Sequence, residues 1–543
     1  MSDTVTALAP DPMPEDPASV PKHPRPSRRS LPMLALGLVV GAVFAIPAGF
    51  VVWRTIRLEA DLGDTLGEVG GPLWRTIQLA VLVSASAAVV GTLLAWVTVR
   101  TDLPFRRTWR IALMLPLVLP SFVGAGAFIA GLAPGGIIHE ALDAIGITPP
   151  RRFRGLGASW LVLTAFTYPY VLLPVSARLQ SLRASQEESA RMLGFGPSEA
   201  FRRVTLPAIR PSVLAGSLLV FLYTLSEFGA VQLLGYDTLT RVIFATRQAD
   251  RATSFAAATT LLILAIAVVA TERRLRGRAI PDSRTAGIDA RPTELGWRKI
   301  PATVTCALVL GIGLLIPVAS LLTWAGRGVR AGSVDFGALI EPALSTATVS
   351  IVAAVVTVVV VLPIAIETTR RPSPAASVAA GAVLGGFAIP GLVIALSLAV
   401  LALNVTGLGW LYQSIGLLIL GYVIHFGSQA LASAEQAVRA VPDRVREQAQ
   451  LLEPSPVRRV FSIELPLMRP GLVAGGGLVM LATAKELPAT LLLAPLGFST
   501  LATDIWSGFG EGFYAETGVA SLTLISVSAV LTWLLVLRPM ARR

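Results

Sequence analysis

The chain has one cysteine, Cys306, in 543 residues, and three histidines, His23, His139 and His425. A single thiol excludes an intramolecular disulfide and any multi-cysteine metal site. The histidines share no ligand spacing. One lies in a polar tail, one in a loop and one in an apolar block, which argues against a zinc cage. Charge is scarce too: Asp, Glu, Lys and Arg make up 14% of the residues, where a soluble chain carries about a quarter. There is no Gly-x-x-x-x-Gly-Lys-Ser/Thr phosphate loop, and no hydrophilic segment is long enough for a nucleotide-binding domain. Nucleophile–base motifs are missing as well. No catalytic residue is assigned, and a membrane-embedded enzyme is left without chemistry.

What is abundant is apolar sequence, 54% of the chain, gathered in blocks of about twenty residues that suit helices crossing a ~30 Å hydrocarbon core. The expected fold is an all-α polytopic membrane protein. Candidate spans run over 31–53, 75–99, 111–133, 156–178, 211–235 and 254–271, then 300–324, 341–366, 376–403, 410–433, 470–494 and 518–538. Residues 1–30 are polar and Pro-rich and end in a basic run, Lys22 to Arg29, which reads as a disordered cytoplasmic tail. The block that follows is too long for a signal-peptide core and is expected to stay as the first span. The first half covers 31–271, the Arg-rich linker 272–299, the second half 300–538, and 539–543 form a short tail.

Charge placement tests that topology. With the amino terminus inside, the inner segments hold 33 Lys and Arg and the outer ones 11, with Lys485 inside a span. This is the positive-inside pattern. It places both termini in the cytoplasm and accounts for the net charge of +12 through the bilayer, with no need for nucleic acid. Six spans per half give the halves the same orientation, a parallel repeat about a pseudo-twofold axis along the membrane normal.

The repeat is visible in the letters. Glu188-Ser-Ala-Arg-Met-Leu-Gly194, nine residues, then Val204-Thr-Leu-Pro207 recurs 259 positions later as Glu447-Gln-Ala-Gln-Leu-Leu-Glu453, nine residues, then Ile463-Glu-Leu-Pro466. Both copies fall on inner loops between the fourth and fifth spans of their halves. Helix-forming residues broken at Gly194-Phe-Gly196, with Pro197 suited to a new first turn, predict a helix–turn–helix knob.

This pattern resembles the signature loop of importer-type ABC permeases, of the type I arrangement with two six-helix halves. The resemblance implies that the knobs dock on two copies of a cytoplasmic ABC ATPase, which holds the ATP and Mg. An extracytoplasmic binding protein would deliver cargo in a prokaryotic plasma or inner membrane. Carried over by position, the docking residues are Glu188, Ala190, Gly194, Leu206 and Pro207, and then Glu447, Ala449, Leu465 and Pro466. Glu453 stands where the pattern has glycine, so the second turn must be made differently. No cofactor is expected on this chain itself.

Two acids lie inside spans at equivalent positions, Glu227 and Glu486, where an ionised carboxylate costs about 2.5–3.5 kcal/mol. They are read either as a carboxylate pair lining a cation path or as structural groups satisfied by a neighbour such as Lys485. Pro116, Pro120 and Pro390 are expected to break spans three and nine near that depth. Ser226-Glu-Phe-Gly-Ala-Val-Gln-Leu-Leu-Gly-Tyr-Asp-Thr-Leu-Thr240 and Lys485-Glu-Leu-Pro-Ala-Thr-Leu-Leu-Leu493 resemble the corresponding segments of ferric-iron importer permeases, which implies ferric iron as cargo. Fused thiamine permeases share the architecture, and sulfate, molybdate, polyamine and phosphonate permeases share the loop. An ion-coupled secondary transporter would explain the spans and the acids, but not the paired knobs.

Overall fold

A computed structural model of the chain describes residues 31–58, 62–150, 152–182, 192, 194–196, 199, 201–276, 293–453 and 455–533. The amino-terminal tail, most of the linker, the last ten residues, and Glu188 and Ala190 lie outside the described residues. Among the described residues ten helical stretches are long and apolar enough to cross a bilayer, and two further bent pairs bring the spans to twelve. In order they are Ala35–Arg57, Gly67–Arg100, Arg106–Val118 with Ser121–Leu132, Leu156–Ser181, Phe201–Ser226 and Arg251–Glu272. The second half gives Gly296–Ala331, Ile340–Arg370, Pro374–Gly386 with Gly391–Asn404, Ile415–Arg439, Val460–Ala484 and Tyr514–Leu531.

Spans three and nine are the broken ones, bent by 92° and 106°. Each second segment begins directly after a proline in extended geometry, Pro120 (φ −62°, ψ 142°) and Pro390 (φ −55°, ψ 138°). A proline supplies no N–H and disfavours helical geometry in the residue before it, so the helix stops and restarts in a new direction. The two prolines are 270 positions apart, whereas the knobs are 259 apart. The first half therefore carries 11 more residues between these points, a stretch that includes the helix Ile137–Ala144 between its third and fourth spans.

The repeat extends to single atoms. Thr76 Oγ1 accepts Leu239 N at 2.9 Å and donates to Pro72 O at 2.7 Å; Thr346 Oγ1 accepts Leu501 N at 2.9 Å and donates to Pro342 O at 2.7 Å. In each half one buried threonine, on span two or span eight, thereby holds the start of the second short helix beyond span five or eleven, Leu239–Thr246 or Leu501–Glu511, satisfying an N–H that has no partner within its own helix.

Packing does not follow the sequence halves. One buried apolar cluster joins Phe44 and Val51 of span one to Val361, Leu392, Ile424 and Val479 of spans eight to eleven. The other joins Cys306 of span seven to Leu79, Phe128, Leu163 and Val220 of spans two to five. Span one has crossed to the other half, and so has the Cys306 end of span seven, whereas Leu321 farther along span seven lies in the first cluster. Small residues allow the crossing: a Cβ on Gly41 would lie 2.9 Å from Ala379 Cα, and one on Gly313 would lie 3.0 Å from Ala165 O. Span seven is also tied at its carboxyl-terminal end, where Trp324 Nε1 donates to Ala130 O at 2.9 Å and Arg327 pairs with Glu140 at 2.8 Å and donates to Gly135 O.

The end of the linker is pinned to the first half as well. Thr293 N donates to Arg100 O at 2.8 Å, Asp102 N to Thr293 O at 3.2 Å, and Leu295 N to Asp102 Oδ1 at 2.9 Å. Lys299 Nζ lies 2.7 Å from Asp102 Oδ2. The hydrogen bond from Lys299 and then that from Leu295 N hold the Asp102 carboxyl below its ordinary range.

Candidate docking knobs and membrane path

The two knobs turn by different means. In the first, Gly194 sits in the left-handed region at φ 88°, where a side chain is strained, and Glu199 N returns to Gly196 O at 3.0 Å. In the second, helix Asp443–Leu452 ends at Glu453 in extended geometry, φ −135° and ψ 96°. No glycine is needed there. The Glu453 carboxylate makes the turn instead, accepting Ser455 N at 3.3 Å and lying 3.5 Å from Arg458 Nε. The glutamate that departs from the loop pattern therefore replaces a backbone conformation with a side-chain turn.

Beyond each turn the chain re-enters the membrane through a π-turn, Phe201–Thr205 and Val460–Glu464, directly before Leu206-Pro207 and Leu465-Pro466. The wider turn suits the Leu-Pro pair. Pro207 and Pro466 have no N–H for the preceding turn, and their rings need room against it. Leu206 and Leu465 are half-buried and the prolines exposed; Glu447 is exposed and Ala449 buried. Met192 and Leu451 share a register position and are 82% and 86% exposed, with Leu452 beside the latter at 81%. Exposed among the described residues, these apolar side chains at the knob tips suit a protein partner. The loop pattern does not specify them, but the same 259-residue offset applied to Met192 would have found the pair.

Deeper in, spans five and eleven stop at the two acids. Each carboxylate caps the short helix that follows: Ala230 N donates to Glu227 Oε1 at 2.9 Å, and Ala489 N to Glu486 Oε1 at 3.2 Å. The breaks meet across the halves, since a Cβ on Gly229 would lie 2.8 Å from Leu487 Cδ2. The environments then diverge. Glu227 is 7% exposed, its Oε2 accepts Ser121 Oγ at 2.7 Å, and Tyr223 donates to that hydroxyl at 3.1 Å. The second half has Gly391 where the first has Ser121. Glu486 is only half-buried, and the Cβ position of Gly391 lies 2.8 Å from Glu486 Oε1 and 3.4 Å from His425 Nε2. Lys485 Nζ donates across the interface to Leu117 O at 3.2 Å, a carbonyl left over where span three breaks. Among the described residues Lys485 forms no ion pair with Glu486. The lysine expected to satisfy the acid serves the broken backbone of the other half.

The pattern of the family described as binding-protein-dependent transport system inner membrane component matches residues 87–272 and 360–539, once in each half. The Fe(3+)-transport system permease protein FbpB 2 of Haemophilus influenzae is 27% identical over 94% of this chain and 99% of its own length. The molybdenum transport system permease protein ModB of Escherichia coli is 32% identical over 29% of this chain and 70% of its own. The sulfate transport system permease protein CysT of Salmonella typhimurium is 32% identical over 38% of this chain and 76% of its own.

Proposed function

This chain belongs to the family of binding-protein-dependent transport system inner membrane components, and on that premise we propose that it carries ferric iron into the cytoplasm as the two-half permease of an ABC importer. One observation carries the cargo assignment: the Fe(3+)-transport relative aligns through both halves, whereas the molybdenum and sulfate relatives align with 29% and 38% of the chain. In this reading both termini are cytoplasmic and two ATPase subunits engage the knobs. Their closure on ATP draws Met192 and Leu451 together and rocks the halves about the meeting of spans five and eleven. The path-lining acid is Glu486, half-buried beside His425; Glu227, with both oxygens bonded, is the structural cap. The boundaries 31–271 and 300–538 delimit the sequence repeat, and each repeat lends residues of its first span to the other's core.

A second reading has one specific observation in its favour. Lys485 places an ammonium beside the path, which suits an oxyanion such as those of the molybdenum and sulfate permeases. Uptake of radiolabelled ferric iron into iron-starved cells separates the two, comparing the intact protein, a deletion and Gly194→Pro at matched expression. Iron uptake lost in both strains supports the assignment. Iron uptake unchanged by deletion, with no redundant importer, ends it, and molybdate, sulfate and thiamine are then assayed in the same strains.

A further inference from the structure

The second knob contains a buried charge cluster whose acid and second arginine have no counterpart in the sequence of the first. Arg370, the last residue of span eight, is 10% exposed at its side chain and pairs through Nη1 with Glu464, which is 4% exposed. Glu464 ends the π-turn before Leu465-Pro466, and its Oε1 lies 3.6 Å from Nε of Arg459 in the knob's second helix. Asp443 and Arg446, paired at 2.8 Å in the first turn of the knob's first helix, lie within electrostatic reach of Arg370. Glu464 thus joins the end of span eight to the second helix, Pro456–Arg459, while the first helix lies within electrostatic reach of Arg370. Its Nε and Nη2 have no acceptor among the described residues.

At the repeat-related positions the first knob has Arg100, Thr205 and Ala200. It keeps the arginine and replaces the acid with a hydroxyl and the second arginine with a methyl. Its turn rests on Gly194 instead. We infer that Arg370 and Glu464 are positioning residues that make the second knob and span eight move as one body, so that partner motion reaches the membrane through this charge pair in the second half and through the glycine turn in the first. The inference rests on the reading of the knobs as ATPase-docking elements. A buried ion pair suits this role because its strength depends on geometry: it holds while the groups stay aligned and resists shear, which an apolar contact of equal volume does not.

The test uses the full chain assembled with its ATPase in proteoliposomes. In a Cys306→Ser background, spin labels are placed at Ile145→Cys and Leu496→Cys, two exposed sites on the face away from the knobs. ATP hydrolysis and the nucleotide-dependent label distance are read together. The single change Glu464→Thr gives the second knob the first knob's residue but leaves Arg370 buried and unpaired. The double change Arg370→Leu/Glu464→Leu removes both charges, and such replacements usually fold as well as the parent. The expected result is hydrolysis retained and the distance change lost in both variants. A double variant that still shows the full distance change per ATP hydrolysed overturns the inference. A wild-type complex that hydrolyses ATP with no distance change, or a Gly194→Pro variant that leaves the change intact, overturns the docking reading and this inference with it.

Discussion

The two acids at the span breaks occupy equivalent positions and do different work. Replacing Glu227 with alanine removes the acceptor for both Ala230 N and the Ser121 hydroxyl in a sealed site, a loss of about 1–3 kcal/mol for buried groups left unpaired. The measurement is thermal unfolding in detergent, and a clear fall in Tm is expected. Glu486→Gln keeps an oxygen for Ala489 N, so its Tm is expected to stay near the parent's while uptake falls about tenfold. Equal loss of Tm in the two variants, with uptake following the amount of folded protein, would make both acids structural. A similar contrast applies to the turns. Gly194→Ala puts a Cβ on a left-handed residue at a cost of roughly 1–2 kcal/mol, whereas Glu453→Gly relieves no backbone strain and loses a side-chain turn. The first substitution is expected to reduce uptake more sharply, and uptake assays at matched expression decide it.

At the scale of elements, the linker's end is held by a carboxylate whose affinity for protons is lowered by its partners. Because the folded form of Asp102 binds its proton less readily than the unfolded form, its contribution is present in full above about pH 4, the unfolded range. It is lost as pH falls through the lower folded value. Thermal unfolding of the parent and of Asp102→Asn is therefore expected to differ at pH 7 and to converge below pH 4. A constant gap across the series would assign the effect to packing. Asp102 also marks a limit on what the letters convey. The spans, the breaks at Pro120 and Pro390, and the odd turn at Glu453 were all legible, because each is set by local chemistry: apolar length, a missing N–H, a missing glycine. The bonds from Asp102 to Leu295 and Lys299 were not, since they join groups nearly two hundred positions apart. For the same reason the letters offer Lys485 only as one possible neighbour for Glu486, and do not show its acceptor, Leu117 of the other half.

For the whole molecule, the exchange of first spans decides whether the halves can separate. A permease built of two self-contained six-helix bundles could rock about a simple interface. Here span one packs into the cluster of spans eight to eleven, and span seven packs through Cys306 into that of spans two to five while its Leu321 stays with its own half, so each half grips the other. Sequence periodicity does not carry this information, since a span hydrophobic on all sides does not name its partner. A cross-link reads it directly. A Cβ on Gly37 of span one is unobstructed and lies 3.8 Å from Ile364 Cγ1 of span eight, the position a cysteine sulfur would take, so Gly37→Cys with Ile364→Cys in a Cys306→Ser background is expected to cross-link on oxidation. With a protease site placed between residues 277 and 292, cleavage of the oxidised protein should leave one band near the intact 57.1 kDa on a non-reducing gel, and two under reduction. Halves that run apart without reductant would put span one back on its own half. The rocking motion would then need a different axis, because nothing at Gly37 would oblige the two cores to move together.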